Sequence, residues 1–286
     1  MKKIFSFFAI CAVVLGMASC GDGNDPQASQ FDLVLNNISW NQVTFSITPA
    51  NDQIEYFYVI RTQEAVKKYS NTKAYIEAGL GDIYGSYNYS EAKQNGLILN
   101  GNLSKKNSYT TLNPDTKYVF IVFAIDKNFN VVGDVAEQKF ITFREGFVDL
   151  GLPSGILWRS YNEHNDDIDA DYFNYQDAYY RGNLPDSTQW KELRENCTWN
   201  YQMSENCFAV VGPNGNSITL PLDGGMPNYN SSVVEKNYSG FYWSRNAKDA
   251  TLAYDIEFSS NGKIQIKECT KKCANSVRLL DYNPNK

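Results

Sequence analysis

From residue 31 onward, the chain alternates short hydrophobic runs with polar segments that are rich in Asn, Asp, Gly and Pro. Residues 31–38, 43–47 and 56–60 are runs of this kind, dense in aromatic and β-branched side chains. Short runs bounded by turn-forming residues are typical of β-strands. The pattern therefore predicts a β-rich fold whose first three strands follow one another closely.

Two segments depart from this alternation and favour helix. Residues 64–100 are too many for an ordinary strand connection, so we predict helical structure over residues 62–78. Further on, Gln189 follows Asp186 by three residues. This spacing predicts a capping box at the start of a short helix over residues 190–195.

The first nineteen residues are interpreted as an export signal. Lys2 and Lys3 precede an apolar stretch, residues 4–15, that is too short to span a bilayer and has the proportions of a secretory signal. Residues 17–20 read Met-Ala-Ser-Cys, which resembles a bacterial lipobox and implies cleavage after residue 19 with acylation of Cys20. Several acyl chains would anchor the protein stably. An ordinary cleaved signal with an incidental cysteine is the alternative.

Residues 20–30 are interpreted as a polar tether. They contain Gly-Asp-Gly-Asn-Asp at 21–25, which resembles the acidic surface-export signals of Bacteroidetes lipoproteins. That resemblance implies an outer-membrane location facing the cell exterior. A generic linker has a similar composition.

A motif at residues 112–118 predicts the type of the first domain. Leu112, Pro114, Thr116 and Tyr118 precede an apolar run at residues 119–125. This spacing resembles the fibronectin type III family. The resemblance implies a β-sandwich over residues 31–143, with an insertion, and gives Tyr118 the tyrosine-corner role, its hydroxyl returning to backbone upstream.

The C-terminal part carries a denser signature. Residues 147–158 are an apolar run punctuated by Gly and Pro and closed by Trp158. It is followed by Asp171-Tyr-Phe173, Leu184-Pro185, Trp190-Lys-Glu-Leu193, residues 211–218, residues 240–244 and Ser276-Val277-Arg278. In this order the motifs resemble the Fibrobacter succinogenes major paralogous domain, a family of exported bacterial domains. The resemblance covers residues 146–281 and implies an α+β, C-type lectin-like fold.

Charge and composition narrow the range of functions that the chain could have. With 26 basic and 32 acidic residues, the formal charge is −6, which argues against nucleic acid as a partner. A single histidine beside twenty tyrosines leaves little for histidine-centred catalysis and favours contact surfaces. We therefore expect no enzyme activity.

The acidic loop around His164 is a candidate metal site. Asp167, Asp169 and Asp171 alternate as in a calcium loop, but Tyr172 stands where that loop needs a turn Gly. We interpret the loop as solvated, with no metal or other cofactor, and weak calcium binding is the alternative.

Four cysteines remain once Cys11 is removed with the leader and Cys20 is acylated: Cys197, Cys207, Cys269 and Cys273. An even number in an exported chain predicts disulfides. We expect Cys197 to pair with Cys207 and Cys269 with Cys273, and crossed pairings stay open. A zinc site or a thiol enzyme is the alternative.

The expected function is non-catalytic binding or adhesion, in which the sandwich lifts a lectin-like domain off the membrane. The ligand would be a glycan or an extracellular protein. Aromatic side chains offer a large contact area at little entropic cost, and the candidates are Tyr179, Tyr180, Arg181, Tyr175 and Trp243, with Tyr84 and Tyr87 in the insertion. The tyrosines of the insertion alternatively pack it onto the sandwich.

A secreted carbohydrate-active or cysteine-dependent enzyme is the alternative function. Paired carboxylates or free thiols in a cleft would favour it, whereas an exposed aromatic strip would favour binding.

Overall fold

The computed structural model describes residues 29–286, except residue 86 and the side chains of residues 81–84 and 105–106. The export signal, Cys20 and nearly all of the tether lie outside the described residues. The described chain is mostly β-strand in several antiparallel sheets with few helices, which confirms the β-rich prediction. None of its helices combines the length and the apolar character that crossing a membrane requires.

The first half of the described chain forms two antiparallel sheets and three helices. Its elements are β1 (Phe31–Ile38), β2 (Val43–Pro49), β3 (Glu55–Thr62), α1 (Gln63–Val66), α2 (Thr72–Tyr84), α3 (Tyr89–Gln94), β4 (Leu99–Asn100), β5 (Leu103–Tyr109), β6 (Lys117–Ile125) and β7 (Val131–Ile141). One sheet has the order β1-β2-β5 and the other β4-β3-β6-β7.

The two sheets share one hydrophobic core. Phe45 of β2 meets Phe120 of β6 edge-on, with ring centroids 4.6 Å apart. Phe31 and Tyr56 make a second edge-on pair across the same core. Because side chains alternate along a strand, Phe120 and Val122 of β6 face this core while their neighbours face away.

The outer face of β6 is covered as well. Val119, Ile121 and Phe123 pack with Ile76 of α2 and Ala92 of α3. Strand β6 is therefore buried on both faces, which explains why its sequence is continuously apolar rather than alternating.

The helical prediction for residues 62–78 is correct in type but not in extent. The chain forms α1 and then α2, separated by residues 67–71. Each helix has its own N-terminal cap: the side chain of Thr62 accepts from Ala65 N, and that of Asn71 accepts from Ala74 N at 2.8 Å. The second cap starts a new helix where the periodicity alone would continue the first one.

The Tyr118 hydroxyl accepts a hydrogen bond from the backbone N–H of Asn113, 2.9 Å away. This is the hydrogen bond to the upstream backbone that was expected of Tyr118. The bond fixes the loop before β6 against the strand it enters.

The second half of the described chain contains four small sheets and two helices. Its elements are β8 (Phe147–Asp149), β9 (Leu157–Arg159), β10 (Phe173–Asn174), α4 (Tyr175–Arg181), α5 (Ser187–Asn196), β11 (Thr198–Gln202), β12 (Cys207–Val211), β13 (Ser217–Pro221), β14 (Ser239–Ala247), β15 (Leu252–Ser259), β16 (Ile264–Thr270), β17 (Ala274–Asn275) and β18 (Leu280–Asp281). The sheets have the orders β18-β9-β8, β10-β17, β11-β12-β13 and β14-β15-β16.

Helix α5 begins as predicted. The Asp186 carboxylate accepts from Gln189 N at 2.8 Å, and the Gln189 side chain accepts from Asp186 N at 2.7 Å. The helix buries Trp190 and Leu193, and the Trp190 ring lies 4.9 Å from that of Trp158. The capping box thus sets where the helix starts, and the two tryptophans anchor it to the core.

A buried arginine joins three of the small sheets. The Arg278 guanidinium is fully buried and donates to the carbonyl oxygens of Arg159 (2.9 Å) and Thr219 (2.6 Å). It also lies over the Tyr242 ring, 5.9 Å from the centroid. Arg278 therefore connects β9, β13 and β14, which belong to different sheets.

The two halves of the described chain are in contact. The Asn285 side chain accepts from Ile141 N and donates to Ile141 O, both at 2.7 Å. Trp40, from the first half, packs against the cluster that contains Phe143 and Phe147. Polar and apolar contacts thus both hold the last residues of the chain against the end of β7.

We expect Arg278→Met to destabilise the second half by about 3–5 kcal/mol, because it removes two charge-assisted hydrogen bonds that a buried guanidinium donates to carbonyl groups of different sheets. Four of the five tryptophans lie in this half, so the loss is measured by urea unfolding followed by tryptophan fluorescence. Arg194→Met is the control, since Arg194 forms only a surface ion pair with Glu195. Equal stability of the two variants would contradict a cross-linking role for Arg278.

Candidate functional site

A cavity of about 900 Å³ opens between α4, the start of α5 and the end of β14. It is lined by Asn174, Tyr175, Gln176, Tyr179, Tyr180, Asp186, Arg245, Asn246, Ala247, Ala250 and Lys271. Its size lies within the range of small-molecule binding sites. It is the candidate site.

Helix α4 provides the aromatic wall. Its cap residue, Asn174, accepts from Asp177 N at 3.0 Å, which fixes the first turn. Tyr175 and Tyr179 are four residues apart and so lie on one face, with ring centroids 6.2 Å apart. Tyr175 is 6% exposed, and its hydroxyl donates to Arg245 O at 2.6 Å. Tyr175 is therefore the floor of the cavity.

Tyr179 and Tyr180 form the rim. Their side chains are 42% and 76% exposed, and the two rings are nearly perpendicular, with centroids 5.7 Å apart. One ring can thus stack on a ligand while the other closes the side of the cavity. Aromatic faces of this kind bind apolar and sugar C–H surfaces.

Two cations stand over the aromatic wall. The Arg245 guanidinium lies 5.4 Å from the centroid of the Tyr179 ring, and the Lys271 ammonium lies 5.0 Å from that of Tyr175. The Lys271 ammonium also donates to Asp249 O at 2.6 Å. Both distances are within the range of cation–π attraction.

The one lining carboxylate, Asp186, already has a structural partner because it caps α5. Asn246 is also partly engaged, since its Oδ1 accepts from Ser187 N at 2.7 Å. Of the amide side chains in the lining, the Asn246 N–H₂ and the Gln176 side chain are therefore available to a ligand, beside the cations Arg245 and Lys271.

The structure brings together three of the predicted ligand contacts, since Tyr175, Tyr179 and Tyr180 all line the cavity. Arg181 does not line it, because its guanidinium packs over the Phe173 ring at 5.0 Å from the centroid. The prediction for Trp243 is wrong. Its ring is fully buried and its Nε1 donates to Phe173 O at 2.7 Å, so no ligand can reach it.

The tyrosines of the insertion lie away from this cavity. Tyr87 is exposed between α2 and α3 in the other half of the chain. Tyr84 ends α2, and its side chain lies outside the described residues. The insertion and the cavity are therefore separate surfaces.

Arg245 and Lys271 are the site residues that sequence reasoning missed. One follows the Gly240–Ser244 motif and the other lies in the turn after β16. Nothing in their local sequence separates them from other exposed basic residues, because only the pairing of the strands brings both to α4.

The predicted Cys197–Cys207 disulfide is wrong. Cys207 lies opposite Gln202 in the β11–β12 pair, and Cys197 precedes Gln202 by five residues. Five residues of extended chain span about 16 Å, whereas a disulfide requires Cα atoms within about 7 Å. Both thiols are free in the structure.

Cys269 and Cys273 are also free, but they are neighbours. A turn closed by the hydrogen bond from Cys273 N to Thr270 O (3.0 Å) brings the two thiols to the border of one cavity, where Cys269 donates to Thr270 O (3.6 Å) and Cys273 to Pro227 O (3.5 Å). The interaction between the two side chains raises the pKa of Cys269, with burial adding to the effect, and lowers the pKa of Cys273. Geometry therefore permits this second predicted pairing.

The two thiols border a cavity of about 220 Å³ whose lining also includes the buried Asp255. Burial raises the pKa of the Asp255 carboxyl to about 7, while a hydrogen bond from Asn275 opposes the shift. This smaller cavity thus combines a thiol pair with a carboxyl group that titrates near neutral pH.

The acidic loop is organised around its histidine. His164 Nδ1 lies 2.8 Å from Asp171, and Nε2 lies 3.4 Å from Asp169. The hydrogen bond to Asp171 raises the pKa of His164. In the described part of the chain, no group of three or more His, Cys, Asp or Glu side chains is placed to hold a metal ion.

Comparison with known proteins does not name a family. The chain matches no protein-family model, and no curated protein is significantly similar to it. The case for a function therefore comes from the cavities and their side chains.

We expect Cys269 and Cys273 to form a disulfide in the oxidised protein, and Cys197 and Cys207 to stay free, because only the first pair is in contact. Alkylation without reduction, followed by trypsin and mass spectrometry, tests this. Trypsin cuts after Lys271 and Lys272, so the two cysteine peptides stay together only if they are linked. A Cys197–Cys207 link would contradict the strand register.

Proposed function

We propose that the protein is an exported, lipid-anchored surface protein that binds a glycan in the cavity beside α4. The observation that carries the proposal is the exposed Tyr179–Tyr180 pair at the rim of the 900 Å³ cavity. The rings supply faces for stacking on sugar rings, and Gln176 and Asn246 supply hydrogen-bonding groups for hydroxyls.

The proposal includes two domains. Residues 31–143 would be a fibronectin type III-like sandwich with an insertion, supported by the two facing sheets and the Tyr118 hydrogen bond. Residues 146–281 would be a Fibrobacter succinogenes major paralogous domain of the C-type lectin-like kind. Its mixture of short sheets and two helices supports that assignment. The first domain would act as the spacer between membrane and binding site.

A binding role fits the large cavity better than glycoside hydrolysis does. Hydrolysis uses two carboxyl groups on either side of the scissile bond. The cavity wall has one carboxylate, Asp186, whose Oδ1 is engaged at the start of α5.

A cysteine-dependent enzyme is the second candidate, and the smaller cavity favours it. Free thiols in a cleft were the feature expected of such an enzyme, and Cys269 and Cys273 border this cavity beside Asp255. The neighbouring Cys269 side chain lowers the pKa of Cys273, which would increase the thiolate fraction of Cys273, and the thiolate is the reactive form. Rapid labelling of Cys273 by iodoacetamide at neutral pH, with Cys197 and Cys207 unlabelled, would support this candidate.

Replacing both rim tyrosines, Tyr179→Ala with Tyr180→Ala, should weaken glycan binding about tenfold or more, since two stacking faces are lost. Thermal stability should stay nearly unchanged, because Tyr180 is 76% exposed and Tyr179 is 42% exposed. A glycan array on the chain from residue 21 onward identifies the ligand, and calorimetry then compares the variants.

Tyr238→Ala is the matched control, since Tyr238 is 70% exposed and lies outside the cavity. Unaltered affinity of the double variant would rule out the α4 cavity as the glycan site.

Cys20→Ala should release the protein from the membrane fraction, because the acylated residue is lost. Cys11→Ala is the matched control, since Cys11 would be removed with the leader and its replacement should leave the anchoring intact. Membrane fractionation followed by immunoblotting measures both. Protease treatment of intact cells then tests surface exposure, and tight membrane binding of Cys20→Ala would contradict the lipoprotein proposal.

A further inference from the structure

We infer that the α4 cavity selects glycans that carry an anionic group, a carboxylate or a sulfate ester. The inference rests on the proposed glycan-binding function and adds the class of sugar. It is based on the charges that surround the aromatic wall.

The cavity wall carries two cations without carboxylate partners. Within the described part of the chain, neither Arg245 nor Lys271 forms an ion pair with an acidic side chain. Other basic residues near this surface do: Lys248 pairs with Glu268 at 2.7 Å. The cavity therefore has positive charge that its own side chains do not neutralise.

The two cations lie over neighbouring rings of one helix. The Lys271 ammonium lies over the Tyr175 ring, and the Arg245 guanidinium lies over the Tyr179 ring, which neighbours Tyr175 on one face of α4. A sugar bound beside the exposed Tyr179 and Tyr180 rings would thus lie close to both cations. An anionic substituent on that sugar would meet a guanidinium, whose planar donors match a carboxylate or a sulfate in a bidentate manner.

The one acidic side chain in the cavity wall, Asp186, does not cancel the positive charge of Arg245 and Lys271. Asp186 holds the N-terminus of α5 through Gln189 N, and that helix end favours negative charge there. Asp249 approaches Lys271 only through its backbone carbonyl oxygen. Although the whole chain is acidic, the cavity has a local excess of positive charge.

Matched ligands separate charge from sugar recognition. The probes are an oligogalacturonide, the same oligosaccharide fully methyl-esterified, a sulfated oligosaccharide and its desulfated form. We expect the anionic probe of one pair to bind, and its uncharged counterpart to bind at least about tenfold more weakly. The affinity for the anionic probe should fall as the salt concentration is raised. The pair that shows the difference tells a carboxylate from a sulfate.

The variants are Arg245→Gln and Lys271→Gln, with Lys263→Gln as the control for loss of one positive charge from an exposed turn. Each cavity variant should weaken the anionic probe about tenfold, and the control should leave it unchanged. Thermal unfolding checks that the three variants are equally folded.

The two proposals fail in different ways. Equal binding of charged and uncharged probes, lost in the Tyr179→Ala with Tyr180→Ala variant, would overturn the anionic preference and keep the glycan site. If Lys263→Gln weakened binding of the anionic probe as much as the cavity variants do, the binding would reflect general charge attraction. That result would also overturn the anionic preference of the cavity. Binding of none of the four probes, together with an array hit on an uncharged glycan, would do the same. The absence of any glycan ligand would overturn both proposals.

Discussion

The second half of the protein depends on one buried guanidinium. Its four sheets have two or three strands each, and sheets of that size are not stable in isolation. Arg278 donates to backbone carbonyls of two of them and covers the Tyr242 ring of a third. A buried charge is costly unless its donors are used, so the positions of these three sheets are tied to the geometry of this side chain.

Strand β14 carries this constraint to the candidate site. Tyr242 packs against Arg278. Trp243, the next residue of the strand, donates to Phe173 O and packs on Tyr175. Arg245, two residues later, lines the cavity. The cavity wall is thus the outer side of a buried aromatic layer. Rigid support of this kind lets exposed rings bind a ligand without first being ordered, which keeps the entropic cost of binding low.

Strand register decides the chemistry available to the cysteines. Cys197 immediately precedes β11 and Cys207 begins the neighbouring β12, yet the ladder offsets them by five residues. Cys269 and Cys273 meet because a turn closes between them, and they do so beside a buried carboxyl group. The spacing of cysteines in the sequence does not reveal the register of the strands. A disulfide prediction based on that spacing therefore misses this offset.

Local features could be predicted from the sequence, because they depend on residues within one or two turns of each other. The early strands, the Asp186–Gln189 capping box and the hydrogen bond of Tyr118 are of this kind. These were determined by propensity, spacing and capping chemistry.

Only the tertiary structure decided which aromatic side chains are accessible and which charges meet them. Trp243 and Tyr179 look alike as candidate contacts, but one lies under α4 and the other on its exposed side. Arg245 and Lys271 are 26 residues apart in sequence and converge because β14, β15 and β16 pair. Burial and convergence arise from packing between distant segments, and no local pattern encodes that packing.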